Sequence, residues 1–271
     1  FFDRLHPSWI NRLPTVPLGY GHDGTLPTSD LGAEIRGASY LGGVKFNYSV
    51  YVTNGPRIED GEDEAEEVGM IVHEGNEDNN NNKAIGGRLG IFPLRDQSLE
   101  IGFSAQSAKL GNRGSELEEL GALLYAFDWT YVRKVSFLGG VIDLKGQVNF
   151  INIDDHTYTI EEGSVMESYT FENKSNSTFF QLGYRPTFGP SQFIKNLELV
   201  GRYSTLNTPE EAPWASENTQ LALGLNYWID WRTAVKFAYQ MDSMTGGHAE
   251  DGEEPEALDV NTFYIQWTIG F

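Results

Sequence analysis

The chain has 271 residues, no cysteine, 13% aromatic residues and a formal net charge of −20. The missing cysteines remove disulfide frameworks, thiolate nucleophiles and Cys-ligated zinc together, and the acidic balance argues against nucleic acid, whose phosphates need a basic face. No apolar run approaches the roughly 20 residues of a membrane helix, so a helical membrane protein is excluded and a β-type one is not.

Residues 1–30 carry Pro7, Pro14, Pro17 and Pro27 and make a poor strand, because proline cannot donate to a ladder. They are expected to form a loop segment separate from the rest of the chain. From residue 31 onward period-two alternation recurs in eleven segments: 31–41, 43–54, 84–94, 98–110, 121–132, 140–152, 176–187, 194–205, 218–229, 232–242 and 260–271, most of them long enough for a tilted strand to cross hydrocarbon. The second sets Val44, Phe46, Tyr48, Val50 and Val52 against Lys45, Asn47, Ser49, Tyr51 and Thr53; the tenth sets Val235, Phe237, Tyr239 and Met241 against Lys236, Ala238, Gln240 and Asp242. The last sets Phe263, Ile265, Trp267, Ile269 and Phe271 against Thr262, Tyr264, Gln266, Thr268 and Gly270. A soluble sandwich also alternates, but here aromatic and branched residues recur on one face with no helix to cover them. In a bilayer such a face needs only lipid, provided that the sheet closes and leaves no backbone group unpaired.

The connections alternate in length without exception. Short ones fall at Gly42 and at 95–97, 133–139, 188–193 and 230–231; longer ones fall at 55–83, 111–120, 153–175, 206–217 and 243–259. This is the asymmetry of an outer-membrane barrel, with short periplasmic turns and longer external loops. With the last strand ending in the periplasm, the long loops lie outside and residues 1–30 begin on the extracellular side. Two loops are strongly acidic, one through Glu59, Asp60, Glu62, Asp63, Glu64, Glu66 and Glu67, the other through Glu250, Asp251, Glu253, Glu254 and Glu256. The plain reading is solvated charge; the functional one is Ca²⁺ or Mg²⁺, for which carboxylates are suited but no EF-hand spacing exists. The expected fold is an all-β transmembrane antiparallel barrel over 31–271. Because single-chain bacterial barrels have even strand numbers, about five further N-terminal strands are expected beyond the eleven visible ones.

The stretch Phe2 to Pro14 (Phe-Asp-Arg-Leu-His-Pro-Ser-Trp-Ile-Asn-Arg-Leu-Pro), the strand end Tyr51-Val-Thr-Asn-Gly55 and the strand Gly87-Arg-Leu-Gly-Ile-Phe-Pro93 resemble the porin O/P family, the phosphate-selective porins and their relatives of other selectivity. The resemblance implies a homotrimer of barrels of about sixteen strands with a loop folded into each pore, of which this chain matches the C-terminal two-thirds. It also implies passive diffusion of small hydrophilic solutes or ions across a bacterial outer membrane, with lipid and lipopolysaccharide as surroundings. No phosphate-binding residue carries over.

With the apolar face toward lipid, the lumen wall receives the bases Arg36, Lys45, Arg88, Lys145, Arg185, Arg202 and Lys236 and the acids Glu34, Glu100, Asp128, Asp143, Glu198 and Asp242. Lys or Arg on the lipid face would cost roughly 2 to 4 kcal/mol near the midplane, which supports this placement. The near balance of signs predicts a wet interior and weak selectivity. Residues 1–24 are expected to fold inward, with Arg4, His6, Trp9, Arg12, Tyr20 and His22 at the constriction; the alternative is a loop over a subunit interface.

Catalytic patterns are sparse. The five histidines (His6, His22, His73, His156 and His248) fall in expected loops, with no His-Glu-x-x-His, no Gly-x-Ser-x-Gly elbow and no phosphate-binding glycine loop, so no enzymatic role is expected. The one acid–imidazole group, Asp154, Asp155 and His156, with Glu161 and Glu162 nearby, would be the site of an omptin-like outer-membrane protease. The runner-up to a porin is a non-channel surface barrel whose acidic loops bind a partner, a divalent metal or lipopolysaccharide.

Overall fold

The structure is a computed structural model that describes residues 11–20, 25–26, 29–62, 64–73, 78–162, 165–246 and 257–270. It contains β1 (Gly32–Leu41), β2 (Val44–Thr53), β3 (Arg57–Ile58), β4 (Ile71–Val72), β5 (Ala84–Phe92), β6 (Leu99–Lys109), β7 (Gly121–Val135) and β8 (Gly140–Ile153). These are followed by β9 (His156–Glu162), β10 (Val165–Phe171), β11 (Lys174–Pro186), the single-turn helix α1 (Gln192–Lys195), β12 (Leu197–Asn207), β13 (Ser216–Trp228), β14 (Thr233–Gly246) and β15 (Ala257–Ile269).

Eleven strands form one antiparallel sheet in the order β1-β2-β5-β6-β7-β8-β11-β12-β13-β14-β15. Each neighbour is the next long strand in the chain, so successive connections fall at alternate ends and all the short ones share one end. At the first of them Gly42 and Gly43, with φ of +56° and +86°, supply the two left-handed residues that a two-residue hairpin turn with the twist of its strands requires. β1 pairs with β2 alone and β15 with β14 alone among the described residues.

All eleven expected strands are present, within a few residues at each end. Two expectations need correction. Residues 153–175, expected as one long loop, contain the β9–β10 hairpin, paired from Val165↔Glu162 to Phe171↔His156, so His156 opens a strand; β3 and β4 likewise pair within the first long connection, 55–83. Their strands are too short, or too rich in Thr and Glu, to show an apolar face. Residues 192–195, placed partly in a strand, form α1, whose start is capped by Ser191 Oγ accepting from Ile194 N at 3.4 Å.

The two faces of the sheet are chemically inverted relative to a water-soluble fold. The apolar side chains stand exposed, among them Val50, Leu89, Phe103, Phe127, Leu223, Tyr239, Ile265 and Trp267. Cross-strand aromatic pairs run over this face, Phe103 with Phe127 at 5.0 Å between ring centroids and Trp129 with Phe180 at 5.7 Å. On the opposite, polar face Asp143, Asn149, Gln181, Glu198, Arg202, Ser204, Asn226 and Lys236 are buried. Among the described residues, buried apolar side chains gather in two places. Under the long connections Ile58, Val68, Ile71, Leu110, Leu117, Tyr158, Ile160 and Phe171 pack over Ala84, Ala108, Ala122, Leu124, Ile151 and Ile153 of the strand ends. Against the sheet, Leu13 packs with Val200, Ala222 and Ala238.

Candidate functional site

The polar face is crossed by residues 11–20, and its strands hold that segment by its backbone as much as by its side chains. Lys236 of β14 donates to Asn11 O, and Asn226 of β13 donates to Arg12 O at 2.8 Å. Arg202 of β12, 1% exposed, donates to Thr15 O, Val16 O and Thr15 Oγ1 at 2.7 to 2.8 Å, and to Gln220 Oε1 at 2.9 Å. Further on, Leu18 N donates to Ser204 Oγ at 3.3 Å, and the Tyr20 hydroxyl accepts from Gln147 Nε2 of β8 at 2.6 Å. Pro14 and Pro17 lie within this stretch, which suits a chain whose backbone is satisfied by side chains rather than by a ladder.

Arg12 is the ionic centre. Its guanidinium donates to Asp143 Oδ2 through Nε at 3.1 Å and Nη2 at 2.5 Å, and to Glu198 Oε1 through Nη1. Burial works to release its proton, but the charges of Glu198 and Asp143 and their hydrogen bonds outweigh this and raise its pKa. The second Glu198 oxygen accepts from Asn226 Nδ2 at 3.1 Å and from Trp228 Nε1 at 3.0 Å, so this carboxylate is fixed by a cation, an amide and an indole.

A second fork lies on the other half of the face. Arg88 of β5 donates to Asp128 Oδ2 at 3.1 Å and Oδ1 at 2.6 Å, and to Glu100 Oε1 and Asn47 Oδ1 at 3.0 and 3.1 Å. Gly90 and Gly102 make room for it: a Cβ on Gly90 would meet Asn47, Glu100 and Arg88, and one on Gly102 would meet Asp128 and Arg88. A bidentate arginine–carboxylate pair of this kind has strict geometric demands, which the two glycines meet.

At the long-connection end His73 Nε2 bonds Thr25 O at 2.9 Å, and burial lowers its pKa to about 4, with the Thr25 carbonyl and Asp30 opposing. Trp214 Nε1 donates to Val68 O at 3.0 Å and Asn173 Nδ2 to Gly69 O at 2.7 Å, tying three long connections into one apolar cap.

No family model, curated protein or solved structure matches the chain.

Most of the expected wall residues join these networks. Arg88, Glu100, Asp128, Asp143, Glu198, Arg202 and Lys236 lie on the polar face in the contacts above, with Asp242 accepting from Gln220 and Gln240 at 3.0 and 2.7 Å. Lys45 donates to Gln97 Oε1 at 3.1 Å and lies over the Phe92 ring, and Arg185 lies over the Trp228 ring and donates to Lys195 O at 3.3 Å. Glu34 and Arg36 are exposed on the edge strand β1, opposite Tyr51 and Ser49. Lys145 makes no hydrogen bond or ion pair among the described residues. Of the constriction candidates, Arg12 and Tyr20 lie on the polar face; Arg4, His6, Trp9 and His22 lie outside the described residues. Sequence reasoning missed Asn226, Trp228, Gln220 and the two glycines, because only charged residues were taken from the strands as wall candidates, although the period-two pattern already puts Asn226 and Gln220 on the same face as Lys236.

The acid–imidazole group is not assembled. Asp154 Oδ2 accepts from Gly121 N at 3.0 Å, while the His156 ring packs edge-on against Tyr158 at 5.4 Å; the side chains of Glu161 and Glu162 lie outside the described residues. Among the described residues no three His, Asp or Glu side chains converge as metal ligands, and the acidic run 250–256 lies outside them.

Proposed function

We propose that this chain forms the wall of a bacterial outer-membrane porin, a barrel that admits small hydrophilic solutes or ions by passive diffusion. The observation that carries the reading is the inversion of the sheet: large apolar side chains exposed along one face, and Arg, Lys, Asp, Glu, Asn and Gln buried on the other. In water such an arrangement exposes what should be buried and buries what should be exposed. With hydrocarbon against the apolar face and solvent along the polar one, both costs vanish. Gln181 Oε1, Gln240 Oε1 and Gln266 Oε1, buried on the polar face without a partner among the described residues, also favour a hydrated interior. In a bilayer the free edges of β1 and β15 must be paired; the porin O/P resemblance supplies the plan, a closed barrel of about sixteen strands assembled as a homotrimer in the outer membrane.

Segment 11–20 is read as the inward-folded constriction. Its Arg12 fork holds two carboxylates, as does Arg88 on the facing half, so neither cluster offers an excess of positive charge and selectivity between ions is weak. The apolar cap under the long connections favours a second reading, a barrel closed at that mouth and serving as an anchor, with lipopolysaccharide or divalent cations at its acidic loops. Single-channel recording in planar bilayers decides. A steady ohmic current that grows when Arg12 is replaced by Met supports the porin with segment 11–20 in its path; no current from membrane-inserted protein overturns it and leaves the anchor.

A further inference from the structure

The five short connections share one end of the sheet, and their surface differs from the rest of the molecule in both shape and charge. Beyond the Gly42–Gly43 turn, these connections and the last three residues of β7 carry Arg95, Arg133, Lys134, Lys195 and Arg232 against Asp96 and Asp230, and the strand positions next to the turns add Lys45 and Arg185 against Glu100 and Glu198, a positive excess on a chain of net charge −20. Both aspartates are already engaged: Asp96 Oδ1 accepts from Ser98 N at 3.1 Å and Ser98 Oγ at 2.7 Å, with its Oδ2 3.9 Å from Arg133 Nε in an exposed ion pair, and Asp230 Oδ1 accepts from Arg232 N at 2.7 Å. At the opposite end, the connection between β3 and β4 alone holds Glu59, Asp60, Glu62, Asp63, Glu64, Glu66 and Glu67.

The same short connections expose aromatic rings. Phe137 is 87% exposed and Trp231 73%, with Phe188 and Phe193 also exposed. They stand on a built shelf rather than on separate loose tips. Thr187 N and Oγ1 donate to Gly139 O at 2.9 and 3.1 Å, the Tyr184 hydroxyl donates to Leu138 O at 2.7 Å, and Trp228 N donates to Asn196 O at 2.9 Å. Gly139, at φ +59°, leaves the space that the Phe188 ring occupies. Phe193 stacks at 5.1 Å on Tyr227, a residue of the apolar face, and the Arg232 guanidinium lies 4.0 Å over the Trp231 ring.

We propose that this shelf binds anionic phospholipid. Rings that continue the apolar face to its rim suit the depth where acyl chains meet headgroups, and the cations beside them suit headgroup phosphate. The Trp231–Arg232 pair joins the two functions, the ring lying against lipid and the guanidinium remaining available to phosphate. An acidic protein segment would find the cations but leave four separated rings without a continuous apolar partner, so charge and shape together favour a lipid leaflet. The long acidic connections would be repelled by the same surface, which fixes the short-turn end toward the phospholipid side.

This inference rests on the bilayer reading, and the test separates the two. The full chain is refolded and offered vesicles of pure phosphatidylcholine and vesicles containing phosphatidylglycerol, with flotation reporting insertion and native mass spectrometry reporting the lipids retained after extraction. Wild-type protein should insert in both and retain phosphatidylglycerol over phosphatidylcholine by at least about tenfold. The triple variant Arg133→Glu, Lys134→Glu, Arg232→Glu, checked for unchanged strand content, should insert equally well and lose that preference. Insertion with equal retention of both lipids overturns the proposal and leaves the bilayer reading standing, as does a preference that the triple variant keeps. Failure to float with either vesicle overturns both. Displacement of retained phosphatidylglycerol by poly-glutamate at equal charge concentration would assign the shelf to an acidic protein partner and overturn the lipid proposal.

Discussion

Replacing Arg12 by Met should release segment 11–20 from the wall. The substitution keeps much of the side chain's volume and removes the guanidinium placed between Asp143 Oδ2 and Glu198 Oε1. Both carboxylates are buried beneath segment 11–20, so the change leaves two negative charges without their cation, and removing one partner of such a group typically costs about 3 to 5 kcal/mol. At about 1.4 kcal/mol per decade, the undocked fraction of the segment should rise by about two to three and a half orders of magnitude. The remaining anchors, the Arg202 bonds to Thr15 and Val16 and the Leu13 pocket, set the baseline from which it rises. Hydrogen exchange in reconstituted protein reads this directly at the Leu18 and Tyr20 amides, which donate to Ser204 Oγ and Pro17 O in the docked state. Adding Asp143→Asn and Glu198→Gln to Arg12→Met should recover most of the protection, because no orphan charge is then left. Arg12→Lys should fall between, since one ammonium cannot reproduce a fork that spans two carboxylates. Unchanged exchange in the Arg12→Met protein, or a triple variant worse than the single one, would refute the ionic latch.

Three further outcomes rest on the same geometry. Leu223→Arg on the apolar face should lower stability in liposomes by about 2 to 4 kcal/mol, seen as a fall in the denaturant midpoint; a variant as stable as the wild type would mean that this face does not meet hydrocarbon. Gly102→Val should push into the Asp128–Arg88 fork and cost about 1 to 3 kcal/mol, while Gly201→Ala, whose Cβ would meet only Leu223 Cδ2 at 3.7 Å, should leave Tm unchanged; equal effects would sink the packing argument. His73 is held neutral, its pKa lowered to about 4 against about 6.5 in an open chain. The open state therefore binds the extra proton between those values, so the cap keeps its full stability above about pH 6.5 and loses it progressively as pH falls toward 4. Amide exchange of β3 and β4, corrected for intrinsic rates, should speed up across that window in the wild type and stay flat in His73→Gln; a flat wild-type profile contradicts the assignment.

The strands were legible because each long one repeats a two-residue period with chemically opposite faces; Val44 to Val52 and Phe263 to Ile269 need no tertiary information to be read. Their order was legible too, since alternating connection lengths leave an up-and-down meander as the simplest path. What stayed hidden was whatever fills the polar face. A segment such as Asn11 to Tyr20 has no period, and its conformation is written in residues far along the chain: Asn226, Arg202 and Lys236 are ordinary polar positions of their strands until Arg12 O, Thr15 O and Asn11 O arrive to use them. The β9–β10 hairpin was hidden for the opposite reason, because its pairing is local but its buried residues, Tyr158, Ile160 and Phe171, share one cluster with other long connections and the strand ends beneath them, a setting that its own short sequence does not announce.

The filling explains why the wall carries so many charges yet so little unbalanced charge. A polar face that only had to meet water would be served by Ser, Thr, Asn and Gln; forks as specific as those of Arg12 and Arg88 are needed where one element must be held in register against another. Arg12 does this between segment 11–20 and two strands, while Arg88 does it across β2, β5, β6 and β7, stiffening the half of the sheet that segment 11–20 leaves uncovered. Lys145 stands between the two. It is two residues from Asp143 on β8 and opposite Thr130, itself two residues from Asp128, and it has no partner of its own among the described residues. The Arg88 fork sets one guanidinium against two carboxylates, so the free ammonium faces a surplus of negative charge on that side, while Lys236 beside Glu198 brings the Arg12 cluster into balance, at separations where screening by water and salt is strong. Local fields of alternating sign, rather than a single dominant sign, therefore run along this strip of the polar face.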